Sequence, residues 1–328
     1  MIKLEENIKL SKYTTFRIGG PAKYFTEVNS EEELLEALEY AKENHLDFFI
    51  LGGGSNLLVS DKGFDGLVIK MHNSSFLIHN SSLECGAGVP LSKVVRDSAE
   101  NSLTGLEWAA GIPGTVGGAV RGNAGAFGGE TKDVIDSVRV LEISNDEFLI
   151  SNQIPNPKSQ ITNKFQIKNY KLQDCKFKYR DSIFKQNKNL IILSAVIKLQ
   201  TGNKEESQKK IQEIIKKRIS VQPRGMPSAG SFFINPVVNN PKIIEEFEKE
   251  SGKESKAGKV PAPWLIEKAD LKGKKIGGAM VSEVHANYIV NAGNATAEDV
   301  IMLASIIKQQ VRDKFGVELK EEVQYLGF

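Results

Sequence analysis

The chain has 328 residues, of which 40% are hydrophobic and 26% are charged, and its formal net charge is +2 at pH 7. This length is too great for one ordinary core, so we expect a soluble protein of two or three domains. The small net charge gives no electrostatic argument for a nucleic-acid partner, and no apolar run approaches the roughly 18 residues of a membrane span.

The first third of the chain carries signals for two helices. Ser30 and Glu33 have the spacing of a capping box, and apolar residues then repeat at helical intervals at Leu34, Leu35, Leu38 and Ala41. A second helix is predicted over Leu91 to Glu100. Between these helices, apolar residues at 48–51 and 57–59 flank a glycine run, which indicates a strand, a turn and a strand.

The middle of the chain is predicted to contain strands separated by polar sequence. Residues 134–150 have a strand pattern, whereas 151–175 are rich in Asn, Gln and Lys and indicate an exposed insertion or hairpin. Apolar alternation resumes over 190–199, and a charged helix is expected over 205–219 before Pro223 ends it. We place the main domain boundary at the start of this helix.

The C-terminal part is predicted to end in a helix and a strand. Lys249 to Lys259 has the composition of a solvated loop. Thr296 and Asp299 form a second capping box, and the helix that follows should end at Gly316. The final strand is expected to place Val317, Leu319, Val323 and Tyr325 on one face and Glu318, Lys320, Glu322 and Gln324 on the other.

Two glycine runs are the most informative local feature of the sequence. Residues 111–129 contain eight of the chain's 29 glycines and one charged residue, Arg121, and the second run is Gly52 to Gly54 followed by Ser55 and Asn56. Glycine suits tight turns and close approach of the backbone to a ligand, and successive N–H groups can form an anion-binding nest. A turn would explain either run alone, but the two together favour a ligand that carries phosphates.

Neither run matches the two commonest phosphate-binding motifs. Glycines 111, 114 and 117 recur every third residue, and we expect no amphipathic helix after them, as a Rossmann fingerprint would require. No Gly-Lys-Ser or Gly-Lys-Thr of a Walker loop follows either run.

The remaining residues that can carry chemistry are sparse. Cys85 and Cys175 lie far apart without C-x-x-C spacing, and the four histidines are scattered, so we expect two ordinary thiols and no metal site. The first ten residues contain no apolar signal core. We therefore expect a cytoplasmic monomer that has neither a membrane nor a nucleic acid as partner.

Six blocks of sequence carry a family resemblance. They are YTTFRIGGPA at 13–22, ILGGGSNLLV at 50–59, GLEWAAGIPGTVGGAVRGNAGAFGGE at 105–130, YRDS at 179–182, PSAGSFFINP at 227–236 and WLIEKADLKGKKIGGAMVSEVHANYIVN at 264–291. In this order, and over nearly the whole chain, they resemble the UDP-N-acetylenolpyruvoylglucosamine reductases, flavoenzymes that make UDP-N-acetylmuramate for bacterial peptidoglycan. Six blocks in register are far more specific than any one motif.

The resemblance implies an α+β protein with a vanillyl-alcohol-oxidase/PCMH-type FAD-binding fold in two subdomains and a C-terminal α+β substrate-binding domain. We expect the subdomains at 1–70 and 71–203 and the third domain at 204–328. It also implies non-covalent FAD, with NADPH as hydride donor. The pyrophosphate would lie on Gly52, Gly53, Gly54, Ser55, Asn56 and Leu57, and the rest of the cofactor along Ala110, Gly111, Gly114, Thr115, Gly117, Gly118, Asn123 and Ala124.

Three residues would carry the chemistry by resemblance: Arg180, Ser231 and Glu322. Reduction of an enolpyruvyl ether by hydride leaves an enolate-like charge beside a carboxylate, which a guanidinium stabilises well. Ser231 would protonate the second carbon of the enolpyruvyl group. Taken singly, each residue would be read as an ordinary surface or turn residue. Strand alternation favours Glu322 over Glu321, because Glu321 would share the apolar face with Val323.

Lys272 is a further candidate, since its point charge suits the substrate's diphosphate. Arg224, Asn235 and Asn287 lie in matched blocks but receive no role. The chain departs from the family pattern in the length of 151–175 and at Pro263, where glycine is usual, and the latter change affects where the following helix starts.

Two other functions remain open at this stage. Another FAD-linked oxidoreductase of the same fold would often hold its flavin covalently through His or Cys, and neither residue occurs in 111–129. A non-catalytic sugar-nucleotide binding protein is disfavoured by the joint presence of Arg180, Ser231 and Glu322.

Overall fold

A computed structural model of the chain describes residues 2–144 and 165–328, which contain both helices and strands. The helices are α1 (Glu31–Glu43), α2 (Leu91–Glu100), α3 (Val116–Gly122), α4 (Ile183–Gln186), α5 (Lys204–Val221), α6 (Pro241–Ser251), α7 (Ala262–Lys268) and α8 (Ala297–Phe315). None of the described helices is long and apolar enough to cross a membrane.

The strands are mostly short. They are β1 (Glu5–Lys9), β2 (Pro21–Val28), β3 (Asp47–Leu51), β4 (Leu57–Val59), β5 (Phe64–Met71), β6 (Phe76–His79), β7 (Ser82–Gly86), β8 (Leu103–Thr104), β9 (Gly125–Ala126), β10 (Gly129–Glu130), β11 (Ile135–Ile143), β12 (Phe165–Lys171), β13 (Leu190–Lys198), β14 (Gln200–Thr201), β15 (Lys275–Ile276), β16 (Ala279–Val281), β17 (Ile289–Asn291) and β18 (Gln324–Leu326).

The chain forms two compact units, of which the first comprises Met1–Glu5, Tyr24–Gly53 and Gly66–Lys217. It contains most of β2 and β5 and the whole of β3, which are neighbours in one sheet with β3 and β5 parallel. A second sheet has the order β12-β11-β13-β7-β6, and all its pairs are antiparallel. One hydrophobic core joins helices and sheets, with Leu34 of α1, Val94 of α2 and Leu193 of β13 fully buried in it.

The second unit comprises Glu6–Lys23, Gly54–Asp65 and Arg218–Phe328. Its antiparallel sheet has the order β15-β16-β17, and β18 pairs with β4 in parallel. A separate core packs Val281 of β16, Ile289 of β17 and Leu303 of α8. The three predicted domain ranges stay a prediction. Their boundary at 203/204 lies at the start of α5, whereas the contacts divide the chain inside α5, after Lys217.

The two helices predicted from capping boxes are confirmed, although in the first box the glutamate side chain has a different hydrogen-bond partner from the expected one. The Ser30 hydroxyl accepts from the Glu33 N–H, but the Glu33 carboxylate accepts from the N–H of Asn29. Thr296 and Asp299 cap α8 reciprocally. Leu91 to Glu100 is helical as predicted, and α5 contains the whole predicted range 205–219.

Helix α6 was missed, and so the prediction of a loop over Lys249 to Lys259 was wrong for its first three residues. Asn240 caps this helix, Pro241 is its first residue and Gly252 ends it in the left-handed conformation. Asparagine before proline, with glycine beyond the last turn, is a recognisable helix signature. Pro263 lies in the first turn of α7, where a missing N–H costs nothing, so the helix starts before Trp264.

The predicted central strands are confirmed where the structure describes them. Strand β11 covers the first part of the predicted 134–150, and β13 matches the alternation near 190–199. In the predicted insertion, β12 pairs antiparallel with β11 and is largely exposed, whereas Cys175 is buried. Residues 145–164 lie outside the described part of the chain.

The last strand is shorter than expected. Val317, Leu319 and Val323 are buried as predicted, but regular strand pairing is confined to β18. Tyr325 is 38% exposed and Leu326 is buried, so the prediction that Tyr325 lies on the apolar face was wrong. The apolar alternation shifts by one residue between Val323 and Leu326, which are both buried, and Leu326 is opposite Val59 in the parallel pair of β18 and β4.

Candidate active site

The two glycine runs meet in the first unit. A Cβ added to Gly53 would lie 2.7 Å from the Cα of Gly114, and one added to Gly52 would lie 2.8 Å from the Thr115 Oγ1. Both distances are too short for real side chains, so the close approach of the two backbones requires glycine here. The Lys70 Nζ donates to the Gly52 carbonyl at 3.1 Å and places a cation beside the turn.

The second run contains a helix, so the expectation of no amphipathic helix was wrong. Thr115 caps α3 with its side chain, and Val116, Ala119 and Val120 form a buried face on the helix. The capping hydroxyl and the burial of this face outweigh the poor helix propensity of three glycines. The helix is seven residues long, too short to be recognised from periodicity.

The two adjacent glycines of α3 serve different purposes. A Cβ on Gly117 would lie 2.9 Å from the Ala87 Cβ, so this glycine is required for packing inside the unit. A Cβ on Gly118 would meet the Thr115 Oγ1 at an ordinary 3.7 Å, and the residue is exposed. Packing within the described chain therefore does not require glycine at position 118, where the backbone is open to solvent.

This open surface fits a phosphate-bearing cofactor. Gly53, Gly111 and Gly118 are exposed, and Gly111 and Gly114 have φ values of +75° and +117° that favour glycine. Bare, turning backbone presents N–H groups to an anion without side chains in the way. These residues of the first unit are the part of the predicted FAD site that the structure brings together.

Asn123 and Ala124, also predicted to lie along the cofactor, are tied into the protein. Asn123 is fully buried with φ +42°, and its amide donates to the Glu130 carboxylate and to the carbonyl of Lys178, each at 2.9 Å. The Ala124 carbonyl accepts from the N–H and the hydroxyl of Thr131. The side chain of Asn123 thus joins the glycine segment to the YRDS segment, and Ala110 is likewise buried.

Arg180 lies at the tip of a tight turn. Lys178 and Asp181 exchange both backbone hydrogen bonds, and Arg180 between them has φ +57°, which is unusual outside glycine. Its Nη2 donates to the Gly125 carbonyl at 2.7 Å, and the guanidinium lies 5.2 Å from the ring centre of Tyr179. These contacts hold the Arg180 guanidinium against the glycine segment at Gly125.

The remaining predicted cofactor residues, Gly54 to Leu57, belong to the second unit. A Cβ on Gly54 would lie 1.9 Å from the Tyr13 carbonyl oxygen, so glycine is required there too. The Asn56 amide donates to the backbone carbonyl of Glu322 at 3.1 Å, and Leu57 starts β4. This segment is therefore fixed against the C-terminal segment that carries the predicted catalytic glutamate.

Ser231 lies among three backbone segments of the second unit. The N–H of the next residue, Phe232, donates to the Asn287 carbonyl at 2.7 Å, and its carbonyl accepts from the N–H of Glu322 at 2.8 Å. The segments that carry Ser231, Tyr288 and Glu322 therefore run side by side. All three residues are partly exposed, as residues that meet a substrate must be.

The pKa of Tyr288 is affected by several of the surrounding side chains. Burial raises its pKa, the positive charge of Arg218 lowers it, the negative charge of Glu322 raises it, and a side-chain hydrogen bond with Ser231 lowers it. The net effect is a raised pKa, so the hydroxyl stays protonated at neutral pH. The backbone hydrogen bonds of Phe232 thus bring the segments of Ser231 and Glu322 together, next to the segment of Tyr288, a residue to which the sequence analysis gave no role.

The two adjacent glutamates face different partners. The Glu321 carboxylate accepts a hydrogen bond from the Lys308 Nζ at 3.0 Å and so forms an ion pair with α8. Glu322 is the glutamate whose charge reaches Tyr288. This difference supports the choice of Glu322, although the strand alternation used to make it does not extend through this segment as predicted.

Lys272 pairs with Glu267, Nζ to Oε2, at 2.8 Å. Both charges act on the nearby His285, whose pKa is lowered chiefly by burial, and the His285 ring lies 4.8 Å from that of Tyr288. A neutral imidazole between Lys272 and Tyr288 extends the polar cluster without adding positive charge. The diphosphate role of Lys272 stays a prediction.

The polar residues without an assigned role are accounted for structurally. The Asn287 side chain accepts a hydrogen bond from the N–H of Phe233 and donates one to its carbonyl, as a neighbouring strand would. The Asn235 Oδ1 accepts from the N–H of Ala262. The Arg224 Nε donates to the carbonyl of Ile219. The sequence analysis named neither Arg218 nor Tyr288, although Tyr288 lies in the matched block HANYIVN.

The rest of the described chain offers no competing site chemistry. Cys85 and Cys175 are buried, and burial raises the pKa of each thiol to about 12, so neither is a nucleophile at neutral pH. No group of three or more His, Cys, Asp or Glu in the described residues could hold a metal ion.

Comparisons with known proteins agree with this geometry. Residues 22–148 match the family model of an FAD binding domain, and residues 222–326 match that of the C-terminal domain of UDP-N-acetylenolpyruvoylglucosamine reductase. The predicted α+β, PCMH-type FAD-binding fold is thereby confirmed.

Relatives match the chain over its whole length. The UDP-N-acetylenolpyruvoylglucosamine reductase of Caldanaerobacter subterraneus subsp. tengcongensis is 40% identical over 99% of this chain and 94% of its own. That of Clostridioides difficile is 36% identical over 99% and 93%. The crystal structure of the Thermus caldophilus enzyme superposes over 100% of both chains with a TM-score of 0.75 at 30% identity. The chain belongs to the UDP-N-acetylenolpyruvoylglucosamine reductase family.

Proposed function

We propose that this protein reduces the enolpyruvyl ether of UDP-N-acetylglucosamine to UDP-N-acetylmuramate, with NADPH as reductant and Ser231 as proton donor. Its cofactors are FAD and NADPH, as in its family. The observation that supports the residue assignment is the backbone hydrogen bond from the N–H of Glu322 to the carbonyl of Phe232, which places the segments of Ser231 and Glu322 side by side, with both residues partly exposed.

The residues of the two glycine runs would hold FAD, which, when bound and reduced by NADPH, would supply the hydride for the terminal carbon of the enolpyruvyl group. The Ser231 hydroxyl then protonates the neighbouring carbon, because a carbanion centre is basic enough to take a proton from a well-placed serine. Arg180 stabilises the enolate-like charge beside the substrate carboxylate. Glu322 sets the charge around the same centre, and Lys272 binds the substrate's phosphates.

The residues for the cofactor are those of the glycine runs. Gly52 to Leu57 would hold the pyrophosphate of FAD, and Gly111 and Gly118 would lie along the rest of the cofactor. The open, glycine-lined backbone of the first unit supports this assignment.

Another FAD-linked oxidoreductase of the same fold is disfavoured, because the C-terminal third also matches the reductase's own domain. A binding protein without turnover is disfavoured because the full-length relatives are named as reductases. We propose further that the enzyme works as a cytoplasmic monomer, which sedimentation of the purified protein would check.

The test is product formation by a matched pair of variants. Purified protein is given NADPH and the enolpyruvyl substrate, and UDP-N-acetylmuramate is measured by mass spectrometry. Glu322→Gln should lower the rate at least tenfold, because it removes a charge near the reacting centre. Glu321→Gln should stay within about twofold, because it breaks a partly exposed ion pair. A reversed order would refute the role of Glu322, and no product from the wild-type protein would refute the function.

A further inference from the structure

We infer that Lys70 is a positioning residue for FAD: its ammonium holds the Gly52 carbonyl, so that the Gly53 N–H at the other end of the same peptide unit is aimed at the pyrophosphate. The inference rests on the proposed function, in which Gly52 to Leu57 hold that pyrophosphate. Lys70, Gly52 and Gly53 all lie in the first unit.

The sheet of the first unit brings Lys70 to the glycine turn. Strands β3 and β5 are parallel, with Leu51 opposite Lys70, and Gly52 follows β3 directly. Ile69 and Met71 are buried in the core of the unit, whereas Lys70 between them is only partly buried and projects from the other face of the strand. Its Nζ donates a hydrogen bond to the Gly52 carbonyl at 3.1 Å.

This hydrogen bond fixes a peptide unit that little else constrains. The unit joins two glycines, which lack the Cβ atoms that restrict backbone rotation elsewhere. In a trans peptide the carbonyl and the following N–H point in opposite directions. A carbonyl held by Lys70 therefore sets the direction of the Gly53 N–H. Gly53 is exposed, and among the hydrogen bonds of residues 2–144 and 165–328 none is donated by its N–H. This N–H is thus available to an anion.

The positive charge of Lys70 makes the same N–H a stronger donor. A cation bonded to the carbonyl polarises the peptide, and hydrogen bonds in such a chain strengthen one another. Burial lowers the pKa of Lys70, and the negative charge of Glu27 raises it. The Glu27 carboxylate also lies 3.2 Å from the Nε2 of His72. The arrangement of ammonium, peptide and N–H fits a negatively charged phosphate group.

The experiment titrates the apoproteins of two variants with FAD and follows the quenching of flavin fluorescence. Lys70→Met should weaken FAD binding roughly 10- to 100-fold, as expected when a hydrogen bond to a charged group is lost. Lys198→Met is the matched control, because Lys198 belongs to the same unit and pairs with Asp136 on the exposed end of β13. Its FAD affinity should stay within about twofold of the wild type. Normal FAD binding by Lys70→Met would overturn the inference, whereas no FAD binding by the wild-type protein would refute the proposed function instead.

Chemical modification of a cysteine at position 70 separates positioning from a packing role. Lys70→Cys is alkylated with 2-bromoethylamine, which restores an ammonium at the length of the lysine side chain, or with 1-bromopropane, which restores the length alone. Cys85 and Cys175 are buried, and burial raises the pKa of each thiol to about 12, so they should react slowly. The aminoethyl group should restore FAD affinity to within about threefold of the wild type, and the propyl group should not. Equal restoration by both groups, or by neither, would overturn the inference.

A third reagent tests whether the hydrogen bond to Gly52 is needed in addition to the charge. Alkylation of Lys70→Cys with (2-bromoethyl)trimethylammonium supplies a positive charge that has no N–H to donate. This group cannot hold the Gly52 carbonyl, so FAD binding should stay weak. Restored affinity would show that charge alone is sufficient and would overturn the positioning role.

Discussion

Gly118→Ala should stabilise the apoprotein and at the same time weaken its affinity for FAD. The added Cβ meets the Thr115 Oγ1 at 3.7 Å, which is an ordinary contact, and the residue is exposed within α3. Within the described part of the chain, the atom nearest to the added methyl group is this hydroxyl at an ordinary contact distance, so a loss of cofactor affinity would come from the cofactor itself.

The magnitudes follow from helix propensity and from the geometry of Gly117. Alanine is better than glycine in a helix by about 1 kcal/mol, so the apoprotein should gain ~0.5–1 kcal/mol, or roughly 1–4 °C in melting temperature. A methyl group in contact with FAD should weaken binding about tenfold, equivalent to ~1.4 kcal/mol. Gly117→Ala is the matched control: its Cβ would lie 2.9 Å from that of Ala87, so it should destabilise the apoprotein by ~1–3 kcal/mol.

The assay needs two measurements on each apoprotein. Thermal unfolding gives the change in stability, and titration with FAD, followed by quenching of flavin fluorescence, gives the dissociation constant. An unchanged dissociation constant in Gly118→Ala, together with the gain in stability, would refute the idea that this backbone lies against the cofactor.

Three further predictions concern the whole enzyme. The protein should purify yellow and release FAD on acid or heat denaturation, because 111–129 contains neither His nor Cys; flavin that stays with the denatured chain would contradict this. NADPH and the enolpyruvyl substrate should show ping-pong kinetics, since the sequence offers no separate nicotinamide fingerprint, and intersecting double-reciprocal lines would reject a shared pocket. Burial raises the pKa of the Glu107 carboxyl, but hydrogen bonds from Ser207, Thr104 and the backbone lower it by more. The net result is a lowered pKa for this carboxyl. Its stabilising contribution is thus present above the unfolded pKa of about 4.3 and lost as pH falls through the lower folded value. Between pH 5 and 3 the melting temperature of Glu107→Gln should therefore fall less steeply than that of the wild type.

Local signals in the sequence were enough to predict the two helices with capping boxes. Ser30 and Thr296 marked two helices correctly, because a capping side chain acts within one turn. Helix α3 was missed because three of its seven residues are glycine, and burial of its apolar face decided the outcome. Propensity is a weak prior where packing opposes it.

The candidate site could be predicted only where a motif marked it. The glycine runs indicated a phosphate-bearing ligand, and the family resemblance added Ser231 and Glu322. The proximity of the Ser231 and Tyr288 segments could not be found in this way, because it joins residues far apart in the sequence and depends on backbone pairing. The sequence predicted an exposed insertion or hairpin over 151–175 but not the position of the edge strand β12, since an exposed strand has little apolar alternation to reveal it.

The most direct test of the central claim is the Ser231→Ala variant, observed in its two half-reactions by stopped-flow absorbance of the flavin. Reduction by NADPH should be nearly normal, because that step does not use the serine proton. Reoxidation by the enolpyruvyl substrate should slow by roughly a hundredfold, as expected for a lost general acid, and Ser231→Cys should recover part of the rate. Slow reduction with normal reoxidation in Ser231→Ala would contradict the account, because Ser231 would then serve the nicotinamide rather than the substrate.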